Sequence, residues 1–187
     1  MADTPSRFLI KAHPKATNFG TLAIGSLPHF FGEMIRAATG ADMVHVPHPG
    51  LGTLRTELMS GRIPAGVAAL GDFIELHRAG KIRIVATSGA RRSPLLPTVP
   101  TFEEEGFPAV EGNGWTAMFA PAGTPRPVID QFSKAIVAAV RVPAVVDKLT
   151  RLGIEPTGTT PKELAEIMAA DAIRWEKAIK ASGFEAK

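Results

Sequence analysis

The sequence predicts an α/β fold followed by a helical C-terminal part. Through the first half of the 187 residues, short apolar runs alternate with amphipathic stretches, as strands and helices do when helices cover a sheet. From about residue 124 onward, apolar residues recur at helical spacing instead. The chain therefore divides into a sheet-containing part and a part that contributes mostly helices.

The first half contains four predicted strands and three predicted helices. The strands are 16–22, 42–46, 65–70 and 81–88, and the helices are 28–38, 52–60 and 72–79. Gly40 and Gly61 close the first two helices and Gly80 follows the third, because glycine accepts the left-handed conformation common at helix ends.

Four prolines interrupt the pattern between residues 88 and 114. Such a segment runs over the surface and does not form a sheet layer. A short helix at 101–105 and a strand at 115–120 fit within and after it. The apolar residues of 115–120 then give way to the helical part.

Three helices are predicted in that C-terminal part. Thr124 is expected to cap the first, with Pro125 in its first turn, and the second spans 143–152. The third begins at Thr160, which with Glu163 forms the capping-box pattern. These helices need a sheet to cover, yet this part of the chain contributes only about one strand of its own.

Composition excludes several classes of function. The formal net charge is +3 and the basic residues are scattered, which argues against nucleic-acid binding. The absence of cysteine excludes disulfides, thiol catalysis and cysteine-bound zinc. No apolar run is long enough to cross a bilayer, and no signal peptide is visible at the N-terminus. No cofactor is predicted.

Several phrases in order along the chain carry a family resemblance. They are Gly-Ser-Leu-Pro-His at 25–29, His-Val-Pro at 45–47, Gly-Lys-Ile-Arg at 80–83, Leu-Pro-Thr-Val-Pro-Thr at 96–101 and Phe-Ala-Pro-Ala-Gly-Thr-Pro at 119–125. Leu-Gly-Ile-Glu-Pro at 152–156 follows them. With these phrases the chain resembles the substrate receptors of tripartite tricarboxylate transporters, also called the Bordetella uptake gene family.

The resemblance implies a two-lobed fold of the type II periplasmic-binding-protein class, with a chain that is longer at its N-terminus. Residues 1–15 would be a remnant of the helix before the second lobe, and 16–111 would form that α/β lobe completely. Residues 112–187 would supply a crossing strand and the mostly helical C-terminal share of the other lobe. The family also implies a periplasmic location, although the lack of a visible leader leaves a cytoplasmic one open.

The loop between the first strand and first helix is the predicted binding site for a small carboxylate. Backbone amides at a helix N-terminus are unpaired and carry partial positive charge. Gly25 would let the backbone approach a ligand closely, and the hydroxyls of Thr21 and Ser26 could add donors. Ile24 and Leu27 complete this contact set. Ser26 can instead cap the helix, and the two roles can coexist.

Two further residues are predicted in the site, each with an alternative. His48 either lines the cleft or is a surface turn histidine, and Asp72 either faces the cleft or caps the third helix. Leu22 and Ala23 stand where the family usually has serine and glycine, which implies a smaller, more apolar or differently oriented ligand. His45 and His48 have no evident third partner, so no metal site is predicted.

Three functions follow, in decreasing order of support. The first is a non-enzymatic receptor that delivers a carboxylate to membrane transport subunits. The second is a truncated, non-transporting relative that acts as a structural or interaction module, with a homodimer covering its apolar faces. The third is a hydrolase that uses Ser26 and His29, for which no orienting acid and no Gly-x-Ser-x-Gly motif is present. No catalytic residue is therefore assigned.

Overall fold

The structure is a computed structural model that describes residues 17–185. Its elements are β1 (Thr17–Thr21), α1 (Leu27–Thr39), β2 (Met43–Pro47), α2 (Leu51–Met59), β3 (Ala65–Gly66), α3 (Leu70–Arg78), α4 (Arg126–Ala139), α5 (Pro143–Arg151) and α6 (Pro161–Ser182). The chain forms two compact units: residues up to Gly114 together with those from Ala178 onward, and Trp115–Lys177. The predicted helix remnant at 1–15 lies outside the described residues.

The first unit contains a parallel sheet with strand order β2-β1-β3. Phe19 of the central strand lies opposite His45 of β2 and Ala65 of β3, and its side chain is fully buried. The first two predicted strands and the first three helices are thus confirmed. The third predicted strand was too long, because α3 already begins at Leu70.

Helix α1 packs its buried face on the central strand. Gly32 makes this close approach possible, since a Cβ there would lie 2.0 Å from Cε2 of the Phe19 ring. The helix ends at Gly40, which has a φ of 65° and donates its amide to the carbonyl of Arg36. This confirms the predicted glycine C-cap.

Two apolar clusters complete the core of the first unit. One is centred on Leu54, Ile63 and Phe73, and the other on Ile74, Leu96 and Val99. Ile84 contacts both clusters. Helices α2 and α3 and the proline-rich segment are therefore joined to the sheet by apolar packing.

Two predicted elements of the first unit were wrong. Residues 81–88 form no regular strand, because their backbone groups bond elsewhere: the amide of Ile84 donates to Nδ1 of His77, and Thr87 makes one isolated bridge with Thr101. Residues 101–105 form a turn and not a helix. Reciprocal hydrogen bonds between Thr101 and Glu104 close that turn.

The second unit contains α4, α5 and most of α6. Its predicted strand at 115–120 was wrong, because no described residue pairs with this segment. Thr124 does not cap α4: Pro125 holds the cap position, and the Thr124 hydroxyl donates to the carbonyl of Pro121. The capping box is confirmed, with Thr160 N 2.7 Å from Glu163 Oε2 and Glu163 N 3.3 Å from Thr160 Oγ1.

Across residues 17–185, no helix is long and apolar enough to span a membrane.

Candidate functional site

The candidate site lies at the carboxyl end of the central strand. The chain leaves β1 toward β2 on one side, whereas β3 pairs with β1 on the other side. Connections that diverge from neighbouring parallel strands leave a crevice at this edge, which is where open α/β sheets bind ligands. The loop at 22–26 occupies this position, so topology and loop chemistry point to the same place.

The loop is exposed and is held at its two ends by hydroxyl groups. The hydroxyls of Thr21 and Ser26 donate to the carbonyl of Ala23, at 3.2 and 2.7 Å. Ser26 Oγ also accepts the backbone amide of His29 at 3.4 Å, which confirms that Ser26 caps α1. Leu22 and Ile24 remain exposed, by 36% and 62%, and so present an apolar surface beside the helix start.

Two amides at the start of α1 remain unpaired. Within residues 17–185, no group accepts a hydrogen bond from the backbone N–H of Ser26 or Leu27. The Gly25 amide, expected to be free as well, is not: it donates to Nδ1 of His29 at 3.1 Å. The anion-binding capacity of the loop therefore rests on Ser26 and Leu27.

A pair of stacked histidines lies next to this loop. The ring centroids of His29 and His45 are 4.1 Å apart, at an interplanar angle of 31°. His45 Nε2 lies 2.7 Å from the Thr21 hydroxyl, which connects the histidine pair to the end of β1. No periodic pattern in the sequence predicts this pair, because the two residues lie 16 positions apart on different elements.

The pKa of His45 is lowered from 6.5 to about 4, chiefly by burial; the neighbouring His29 and His48 contribute to this lowering and Glu33 opposes it. Because the folded state disfavours protonation, stability is full above pH 6.5 and is lost as the pH falls toward 4. The ring is partly exposed, so we expect a loss of about 1 kcal/mol between pH 7.5 and pH 5. Urea unfolding at both pH values measures it.

His45→Gln serves as the control for this pH effect. The glutamine amide can occupy the position of Nε2 beside Thr21 but does not titrate. The variant should lose about 1 kcal/mol less than the parent chain over the same pH range. An identical loss in both proteins would show that His45 is not the responsible group.

Phe184, from the C-terminal segment of the first unit, covers part of the loop. Its ring makes edge contacts with His29 and Phe30, at centroid distances of 6.1 and 5.5 Å. A Cβ on Gly25 would lie 2.8 Å from Cζ of Phe184. Phe184 could not be predicted as part of the site, because nothing in the local sequence pattern connects a residue near the C-terminus with the first loop.

His48 follows β2 and is buried next to the same edge of the sheet. Its Nδ1 lies 2.9 Å from the carbonyl of Val46 and its Nε2 lies 3.0 Å from Glu57 Oε2. The alternative of a surface turn histidine was wrong, since the residue is only 4% exposed. Both ring nitrogens have partners in this structure, and a role for His48 in ligand binding stays a prediction.

Replacing His48 should destabilise the first unit. We expect His48→Ala to cost about 2 kcal/mol, because it leaves a cavity and removes two hydrogen bonds from partly buried acceptors. Glu57→Gln keeps an oxygen next to the ring and should cost under about 1 kcal/mol. If urea unfolding showed that His48→Ala and Glu57→Gln lose the same free energy of unfolding, the structural role assigned to the His48 ring would be contradicted.

Asp72 lies in the first turn of α3, after β3. It does not cap the helix, because Ala69 holds the cap position and the Asp72 amide donates to the Ala69 carbonyl. The guanidinium of Arg55 donates to the Asp72 backbone carbonyl, at 2.9 Å from Nε. A ligand contact through the Asp72 carboxylate also stays a prediction.

The geometry gives no nucleophile–base pair at Ser26 and His29. The Ser26 hydroxyl donates to Ala23, and His29 Nδ1 accepts from the Gly25 amide, so the serine proton is not directed at the imidazole. Among the described residues, no group of three or more histidine or acidic side chains is arranged to hold a metal ion.

Comparison with known proteins identifies the family. The model of the tripartite tricarboxylate transporter family receptor matches residues 7–184. The chain belongs to this receptor family. A relative described as the UPF0065 protein in the tcbD-tcbE intergenic region of Pseudomonas sp. (strain P51) is 31% identical over 91% of this chain and 52% of its own length. Protein BugT of Bordetella pertussis is 30% identical over 95% of this chain and 54% of its length.

Solved structures share the fold. Rpa4515 of R. palustris, solved with adipate, matches with a TM-score of 0.83 and 28% sequence identity. The match covers 97% of this receptor-family chain and 62% of the Rpa4515 chain. MatC of Rhodopseudomonas palustris, with bound malate, matches with a TM-score of 0.75 and 25% identity, over 94% of this chain and 62% of the MatC chain. These matches confirm the type II periplasmic-binding-protein fold class, of which this chain contains a part. The chain spans about half the length of the curated relatives it matches.

Proposed function

We propose that this chain is the ligand-binding part of a receptor for a small carboxylate, which it binds at the loop between β1 and α1. The observation that carries the proposal is the pair of unpaired amides, Ser26 and Leu27, at the carboxyl end of the central strand. Two unpaired N–H donors at the start of a helix, together with the helix dipole, can stabilise a carboxylate without a buried cation. The receptor would deliver its ligand to membrane transport subunits from the periplasm.

Dicarboxylates with an aliphatic body are the ligand class we favour. Two structural neighbours were solved with adipate and with malate. In this chain the exposed side chains next to the free amides are Leu22 and Ile24, which suit methylene groups better than additional carboxylates. Tricarboxylates would present a charged group to this apolar surface.

The other predicted site residues fit the proposal in different ways. Thr21 is fully buried and holds the loop through Ala23 and His45, so it orients the amides without facing solvent. Asp72 lies after β3 at the same sheet edge, where a second polar group of a ligand could reach it. His48 lies after β2 and is buried, so a direct contact would require its ring to leave Val46 and Glu57.

Ligand-dependent stabilisation tests the proposal. Thermal unfolding should shift upward with millimolar adipate or malate, because a ligand that binds only the folded state stabilises it by mass action. Adipamide has the same carbon chain without negative charge and serves as the control. Equal shifts with adipate and adipamide, or no shift with any di-, tri- or aromatic carboxylate, would reject carboxylate binding by this chain.

A second candidate is an interaction module that dimerises through the second unit. No residue of α4, α5 or the described part of α6 is buried, and large apolar side chains are exposed there, including Phe132 (63%), Leu152 (59%) and Ile173 (61%). Monomeric proteins rarely leave such a surface uncovered. Light scattering should then give a dimer that Phe132→Ser weakens, and a monomer at high concentration would exclude this candidate.

A further inference from the structure

We infer that His29, as a neutral imidazole, is the positioning residue that holds the 22–25 loop in its binding conformation. This inference rests on the proposed function of the loop. The contact behind it is the hydrogen bond from the Gly25 amide to Nδ1 of His29, at 3.1 Å. Nδ1 can accept that bond only while it carries no proton.

Gly25 is the residue at which this bond matters most. Its φ of 73° turns the chain just before the free amides of Ser26 and Leu27. The bond joins this turn to the first turn of α1, where His29 is only 8% exposed. A proton on Nδ1 would place two donors face to face, and the turn would lose its anchor.

One carboxylate lies near the Nε2 edge of the His29 ring. Glu33 Oε1 lies 3.9 Å from Nε2, and Arg36 binds the same carboxylate at 2.7 Å. From β2, His45 stacks on the ring, and His48 lies close enough to His45 to lower the pKa of His45. On the C-terminal side the contact is the uncharged ring of Phe184.

The consequence is that removal of the His29 acceptor should weaken carboxylate binding, although neither free amide is altered. We expect the affinity for adipate to fall about tenfold when Nδ1 is removed, the effect of losing one well-placed hydrogen bond.

The test combines a variant with a measurement that needs no ligand. His29→Asn places Oδ1 where Nδ1 was, so it should keep adipate affinity within about twofold. His29→Ala should lose affinity about tenfold. Without ligand, the amide NMR signal of Gly25 should have a similar chemical shift in the parent chain and in His29→Asn, and it should move in His29→Ala.

A Gly25 amide signal that does not move in His29→Ala would overturn the inference, as would equal adipate affinities in His29→Asn and His29→Ala. The Gly25 signal is measured without ligand and is therefore separate from the proposed function. If the chain binds no carboxylate, the receptor proposal fails, whereas the Gly25 signal in the two variants still decides whether His29 anchors the loop.

Discussion

Gly32→Ala is expected to destabilise the first unit by about 3 kcal/mol or more, although alanine is the better helix former. The new methyl group would lie 2.0, 2.4 and 2.6 Å from three atoms of the Phe19 ring. That ring is fully buried in the central strand and cannot move aside without displacing α1 from β1. Steric overlap therefore outweighs the gain of about 1 kcal/mol from helix propensity.

Gly52→Ala is the matched control, since Gly52 is also a helical glycine but has open space around its Cβ position. It should be neutral or stabilising by up to about 1 kcal/mol. Urea unfolding of both variants measures the difference. If Gly32→Ala were as stable as Gly52→Ala, α1 would not pack closely enough on Phe19 of β1 to exclude a methyl group at position 32.

Gly25→Ala is expected to cost about 2–3 kcal/mol and to remove carboxylate binding. Two effects add: the φ of 73° disfavours a residue with a Cβ, and the methyl group would lie 2.8 Å from Cζ of Phe184. Relief of this overlap must displace either the loop or the aromatic ring. Displacement of the loop would change the orientation of the Ser26 and Leu27 amides that carry the proposed site.

Gly40→Ala separates the two effects. Gly40 has a similar φ of 65° but nothing within 4 Å of its Cβ position. It should lose only the conformational part, about 1 kcal/mol, and should leave ligand binding unchanged. Phe184→Leu combined with Gly25→Ala should recover part of the stability. Equal losses at Gly25 and Gly40 would mean that Phe184 does not restrict the loop.

Local signals in the sequence were sufficient for the elements with strong periodicity or specific end residues. The apolar face of α1, its Ser26 cap and its Gly40 terminus lie within a few positions of each other, so the sequence alone predicts them. The same holds for the Thr160–Glu163 capping box. The position of the candidate loop followed from the order of strand and helix.

Features that depend on distant partners were not predictable in this way. The apolar runs at 81–88 and 115–120 have strand-like composition, but a strand exists only where a neighbour offers paired hydrogen bonds. The bond between Gly25 and His29 and the contact of Phe184 with the loop depend on tertiary packing. The hydrogen bond to His29 removes the Gly25 amide from the predicted group of free amides and leaves Ser26 and Leu27.

An amide NMR titration of the chain with adipate at pH 8 measures whether the Ser26 and Leu27 amides bind the carboxylate. The Ser26 and Leu27 signals should move saturably and further than the rest of the backbone, and adipamide should move neither. Adipate that saturates the chain while leaving these two signals in place would contradict carboxylate binding by these amides.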